Sequence, residues 1–410
     1  MARKNNGHLD QQLLSPEFFA NPYAVYHLLR SEDPVHWCEP WNCWIVSRYD
    51  DVLAGLRQDG RQFSVAGQFG SHLDALPEAV QPRFQPIKQH FSVGLLHSDP
   101  PDHTRLRSLI NQAFTPRVVK EMRPRIEATV NELLDAVEGA GRMDVIRDFA
   151  FPLPAIVTAN VVGMPPGDRH QFKQWSDDIA AFSASNRLTV EVAEHAQSSL
   201  LAVRAYLLDI AAQRREQPRD DLISRLVSPE AEDGRPSEGE LLSTCVTFLV
   251  GGHETTTALL ASGLLALFRQ PDQLRELRDD PMVMASAIEE FLRYESPNQR
   301  INRLVKADFE MEGRQIKRGQ RVMFLLGSAN RDPAQFPDPD RLDIRREPNR
   351  HLAFAVGPHF CIGAPLARLE AAIAFEALLR RLPKLRPAQN TPKWLPSYQL
   401  RMLKSLQVVF

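Results

Sequence analysis

Cys361 lies in the segment Phe354-Ala355-Val356-Gly357-Pro358-His359-Phe360-Cys361-Ile362-Gly363 and is one of only four cysteines in 410 residues. Pro365 follows in the first turn of a helix that the pattern begins at Gly363. A helix start carries unpaired N–H groups and a partial positive charge, and both favour a thiolate over a thiol. Gly357 and Gly363 let the backbone turn and come close to something flat or bulky. A thiolate held this way could attack a carbon or bind a soft metal. As a nucleophile it needs a base. His359 faces the same way as Cys361 only if the loop stays extended, which makes that use weaker. A buried loop cysteine without chemistry is the bland alternative.

Other segments add donors and acids. His103 and Arg107 stand four apart in Asp99 to Arg117, so a helix places them on one face, suited to a dianionic edge or simply to solvent. The run Gly251-Gly252-His253-Glu254-Thr255-Thr256 puts an acid and a hydroxyl directly after paired glycines. Each mid-helix glycine costs about 1 kcal/mol relative to alanine. Close helix packing explains that cost, and so does room for a ligand. Glu290 and Arg293, three apart, share a helix face.

These residues need elements to hold them. Ser237 and Glu240 form a capping box that opens a helix running to Gln270, before Pro271. Its roughly 30 residues span about 45–50 Å. A second helix starts near Asp280-Pro281 and ends before Pro297. Val305, Phe309, Met311, Ile316, Val322 and Phe324, with turns at Glu312-Gly313 and Arg318-Gly319, read as short strands and hairpins. Trp44-Ile45-Val46 reads as a strand, and Asp50 or Asp51 as the cap of the helix that follows. Gly60 to Leu96 is irregular and suits a lid. The fold class is mainly α with a smaller β part (α+β), taken as one domain over residues 1–410. No doubly wound alternation and no nucleotide-binding glycine motif occurs.

Composition narrows the classes further. A net charge of −2 argues against bulk binding to nucleic acid. The N-terminal segment lacks an apolar signal core, and the long apolar helix is interrupted by His253-Glu254, so no membrane anchor and a cytoplasmic location are expected. No CxxC pair occurs, which disfavours a zinc ribbon or a thioredoxin-type site. Cys38 and Cys43 read as bland, and Cys245 as a core residue.

The Phe354–Gly363 stretch resembles the heme-binding loop of the cytochrome P450 family, with Phe354, Gly357, His359, Cys361 and Gly363 matching and Ala355 standing where a glycine is usual. The Gly-Gly-His-Glu-Thr-Thr helix, the Glu290–Arg293 pair, the His103–Arg107 segment and the run Ala329 to Arg346 fit the same family in order, so the resemblance extends from about Pro22 to the C-terminus. It implies a P450 fold, with the long helix over heme b and Cys361 as the iron ligand beneath. His103, Arg107, Arg303 and His359 would meet the propionates. Glu254 and Thr255 would deliver protons to dioxygen. Arg341 would join the Glu290–Arg293 pair.

The implied reaction inserts one oxygen atom of O₂ into a hydrophobic small molecule, by hydroxylation or epoxidation. A thiolate ligand favours O–O cleavage. The chain carries no flavin, nicotinamide or iron–sulfur signature, so electrons are expected from a separate ferredoxin and reductase, docking on the basic stretch Arg105, Arg117, Lys120, Arg123 and Arg125. A monomer is expected. Asn298 and Gln299 are candidate polar contacts to substrate. Competing readings are a peroxide-driven peroxygenase, a heme-binding sensor without catalysis and a Cys–His hydrolase.

Overall fold

The computed structural model describes residues 7–68, 73–185, 188–228, 235–389 and 392–410. Parts of the expected lid (69–72) and of the polar loop after Ser228 (229–234) lie outside the described residues.

Nine helices carry the argument: α1 (Tyr23–Glu32), α2 (Tyr49–Arg57), α3 (Asp102–Ala113), α4 (Pro152–Val162), α5 (Arg169–Ala184), α6 (Val190–Glu216), α7 (Glu238–Arg269), α8 (Met284–Tyr294) and α9 (Ala364–Arg381). Ser237 starts α7 as expected. Its hydroxyl accepts the Glu240 N–H, and the Glu240 carboxylate accepts the Ser237 N–H at 2.7 Å. The helix runs 32 residues, about 48 Å at 1.5 Å per residue. Helices α4, α8 and α9 pack against it, and most of its length from Leu241 to Leu267 is buried in the main apolar core.

The largest of the four β-sheets among the described residues is mixed and five-stranded. Its strands are β1 (Val35–Cys38), β2 (Cys43–Val46), β3 (Phe63–Ser64), β4 (Ile301–Val305) and β7 (Arg321–Phe324), in the order β1-β2-β7-β4-β3. A hairpin of β5 (Phe309–Met311) and β6 (Arg314–Ile316) turns at Glu312-Gly313, as expected. The unexpected feature is that β2 pairs in parallel with β7, with Val46 opposite Phe324, so the two β-rich regions of the sequence make one sheet.

The cap of α2 is a correction. The residue at the cap position is Arg48, and Asp50 and Asp51 lie within the first turn. The orphan N–H of Tyr49 is accepted instead by Asp332 at 2.8 Å, a partner 283 residues away that no local pattern reveals.

The Cys361 loop lies at a seam. Leu352 and Ala355 belong to the core of the sheet, whereas Phe354 and Ile362 pack against the helical core. Gly357, at φ +75°, sits so close to α2 that an added Cβ would lie 2.7 Å from the Leu56 carbonyl oxygen. Only glycine fits there.

Candidate active site

The loop presents its sulfur through backbone bonds. The Cys361 N–H donates to the Phe354 carbonyl at 3.0 Å, and Phe360 N–H to Gly357 O at 3.1 Å. Arg107 crosses from α3 to donate to the Phe360 carbonyl at 2.7 Å. Cys361 keeps exposed surface, yet desolvation by the protein packed around its sulfur raises the thiol above its usual range, although N–H groups of Gly363 and Ala364 and the Arg107 and Arg368 guanidiniums pull the other way. The helix start alone therefore does not make the thiolate. A bound cation would, since it deprotonates a coordinating thiol outright.

His103 and His359 lie side by side, with ring centroids 4.1 Å apart. Both carry an Nε2 that is buried and lacks a hydrogen-bond partner. Burial, followed by the charges of His103, Arg303 and Arg107, pushes His359 down to about 3. Two orphaned imidazole nitrogens beside two guanidiniums are costly unless an anion receives them. A dianionic cofactor edge fits this donor set. Arg303 is close but otherwise engaged: its Nε and Nη2 form a two-pronged pair with Asp59 at 2.7 and 2.6 Å. Asp59 had no signal in the sequence.

Along α7 the flanking segments are buried, yet Thr247, Val250, Gly251, Glu254 and Thr255 keep accessible surface. Their spacing of three and four places them on one face. Burial, with a smaller push from Asp177, raises Glu254 to about 7. A side chain that is accessible and yet so desolvated lines an internal cleft rather than the exterior. Thr255 donates its hydroxyl to Gly251 O at 3.0 Å.

The paired glycines divide the two explanations between them. A Cβ on Gly252 would approach Thr158 Oγ1 of α4 to 2.9 Å, so this glycine serves packing. A Cβ on Gly251 would meet nothing within 4 Å, so this one leaves open space on the accessible face.

Behind the loop, Glu290 and Arg293 are both 0% exposed and joined at 2.7 Å. Arg293 also donates to the carbonyls of Asn330, Pro339 and Arg341 at 2.9, 2.8 and 3.2 Å. The expected role of the Arg341 side chain is corrected: that side chain is exposed, and only its carbonyl takes part. The second guanidinium on Glu290 is that of Arg346, at 3.2 Å. A tight turn brings Arg346 back, with Asp343 N–H also donating to Glu290 at 2.9 Å.

Gln299 is likewise corrected. It is 3% exposed, and its amide is consumed by Tyr26 (3.0 Å) and the Ser296 carbonyl (2.6 Å). It faces the N-terminal aromatic cluster and offers nothing to a substrate. Asn298 bonds to Gln399 at 2.6 Å. Cys38, Cys43 and Cys245 are buried, as expected. No cluster of three or more potential metal-ligating side chains occurs among the described residues. No helix of the described residues is long and apolar enough to cross a membrane.

Together, a sulfur-presenting loop, an anion-seeking cluster and an accessible stripe on a long helix describe a helical oxidoreductase built around an anionic cofactor. The cytochrome P450 family model matches residues 76–405, and the chain belongs to that family. The polyketide biosynthesis cytochrome P450 PksS of Bacillus subtilis is 40% identical over 96% of both chains. The 6-deoxyerythronolide B hydroxylase of Saccharopolyspora erythraea is 37% identical over 91% of both. Among solved structures, P450BioI in complex with hexadec-9Z-enoic acid ligated acyl carrier protein has a TM-score of 0.88 at 38% identity, covering 97% of this chain and 100% of that one. The protein is thus a P450 monooxygenase, a heme enzyme acting on a small molecule.

Proposed function

We propose that Cys361 is the thiolate ligand of heme b and that the chain hydroxylates or epoxidises a hydrophobic small molecule in the cytoplasm, with electrons from a ferredoxin and its reductase. The observation that carries this reading is the pair of buried, unpartnered Nε2 atoms of His103 and His359 beside the Cys361 loop. In this reading both imidazoles and Arg107 hold the two carboxylates of the cofactor, and Arg303 supports them while braced by Asp59. The bound heme supplies activation of dioxygen.

The chain's own residues do the rest. Glu254, raised to about 7, can hold and release a proton near neutral pH at its carboxyl oxygen. Thr255, hydrogen-bonded back to Gly251 O, orients a hydroxyl on the same face. The intact pair speaks against a peroxide-driven enzyme, which has no need of a proton relay. The match to the cytochrome P450 family speaks against a Cys–His hydrolase.

The basic docking face is weaker than its sequence suggests. Arg105 pairs with Glu240, Arg117 with Glu121 and Arg123 with Glu127. Lys120 and Arg125 make no ion pair among the described residues and are the cations left for an acidic carrier.

Long acyl and polyketide-derived compounds head the substrate panel, because the relatives are named for such chemistry. The test is an optical titration of purified ferric protein with that panel. A Soret band that moves from the low-spin to the high-spin position supports both cofactor and substrate class. Absence of any Soret band after heme is supplied refutes the reading.

A further inference from the structure

We infer that Glu289 is a positioning residue that holds the Arg368 guanidinium against the Phe354 ring and thereby sets the electrostatic field of the Cys361 loop. Glu289 precedes the Glu290–Arg293 pair on α8 and takes no part in it. Its two oxygens accept from Arg368 Nε at 2.6 Å and Nη2 at 2.7 Å. Arg368 lies on α9, seven residues after Cys361, and its guanidinium sits 4.6 Å from the centre of the Phe354 ring. Phe354 is the residue whose carbonyl receives the Cys361 N–H.

A third group fixes the arrangement from the other side. His351 is 3% exposed in its side chain and approaches Glu289 at 3.0 Å through Nε2. Its Nδ1 accepts the Ala353 N–H at 3.2 Å. With Nδ1 occupied as an acceptor, the ring proton must sit on Nε2 and point at Glu289. One carboxylate therefore ties together the entry to the loop (His351, Ala353), its aromatic shoulder (Phe354) and the helix that leaves it (Arg368). Burial works against the Glu289 charge, but hydrogen bonds from Arg368 and His351 outweigh it and hold the carboxyl at about 2. It stays ionised across the working pH range.

An exposed arginine pair of ordinary kind would matter little. This one differs because the cation is stacked on the loop itself and is among the charges that act on the Cys361 sulfur. The charges facing that sulfur are Arg107 from α3 and Arg368 from α9, with Glu289 from α8 offsetting the second. Removing the Glu289 charge leaves Arg368 uncompensated and favours the electron-richer state of the loaded enzyme. Removing the Arg368 charge does the reverse.

The inference rests on Cys361 as the heme ligand, and the experiment separates the two. Potentiometric titration of heme-loaded wild type, E289Q, R368Q and the double variant reads the ferric–ferrous potential. The reduced carbon monoxide complex reads thiolate ligation. E289Q is expected to raise the potential and R368Q to lower it. Each shift should be on the order of tenfold in the equilibrium, about 59 mV for a one-electron couple. The double variant should return toward wild type. Shifts of the same sign in both single variants, or shifts below about threefold (roughly 28 mV on the same scale), would overturn the inference and leave a merely structural clamp. If E289Q fails to load heme, R368K is compared with R368Q. The lysine variant should keep the wild-type potential, and equal shifts would overturn the inference. A wild-type complex lacking the thiolate-type band would refute the Cys361 reading and the inference with it.

Discussion

Three arginines near Glu290 are predicted to differ widely in their value to the fold, and the order follows from where each guanidinium goes. Arg293→Ala removes a fully buried two-pronged partner of Glu290, with bonds at 2.7 and 2.8 Å. Breaking a buried pair by deleting one partner typically costs about 3–5 kcal/mol, and Glu290 would keep only the longer contacts from Arg346 and Asn349 beside the Asp343 N–H. The Asn330 and Pro339 carbonyls also lose their donor. Each orphaned acceptor adds about 1 kcal/mol. The sum is about 5–7 kcal/mol, a large share of the roughly 5–15 kcal/mol by which domains are stable. Arg346→Ala removes only longer contacts, 3.2–3.3 Å, while Glu290 keeps Arg293. A cost of about 1–2 kcal/mol is expected. Arg341→Ala removes an exposed side chain whose carbonyl survives the change, so its effect should stay within about 0.5 kcal/mol. Urea unfolding of the heme-loaded protein checks this order, with unchanged slope showing that only stability moved. An Arg293→Ala protein that yields no folded holoenzyme while the other two do also agrees. Arg341→Ala costing as much as Arg346→Ala, or Arg293→Ala costing under about 1 kcal/mol, would refute this reasoning.

Other predictions follow from single sites. Glu254 binds its proton more tightly in the fold (about 7) than in the unfolded chain (4.5), so the stability from this group is full below pH 4.5 and lost as pH rises through 7. Glu254→Gln should flatten that decline, about 1–3 kcal/mol by denaturation at successive pH values, and should remove a turnover limb near neutral pH. Gln299→Ala should lower stability by about 1–3 kcal/mol through Tyr26 and the Ser296 carbonyl, while spectral titration shows unaltered substrate affinity. Ala355 holds φ +57° in the loop, where a non-glycine residue is strained by about 1–2 kcal/mol. Ala355→Gly should therefore raise the unfolding free energy by about 0.5 kcal/mol after the added chain entropy is subtracted, read as a slightly higher urea midpoint.

Local rules made much of this protein legible. The α7 start was readable from Ser237 and Glu240, its end from Pro271 and the hairpin from Glu312-Gly313, because capping and turn chemistry act within a few residues. Spacing put His103 and Arg107 on one face, and the loop motif singled out Cys361 among the cysteines.

What the chain order cannot encode locally is which distant group answers a given atom. Asp332 caps α2 from 283 residues away, and β2 finds β7 across most of the chain. Arg346 rather than Arg341 reaches Glu290, because the turns of the Ala329 to Arg346 run decide which guanidinium points inward. Gln299 turns into the aromatic cluster, and Asp59 claims Arg303. Glu289, adjacent to a recognised pair, is separated from it only by the face of α8 that it occupies. The types of chemistry available were set by sequence. The partner of each buried polar atom was set by packing, since only the folded interior brings donors and acceptors together where leaving one unmatched is costly.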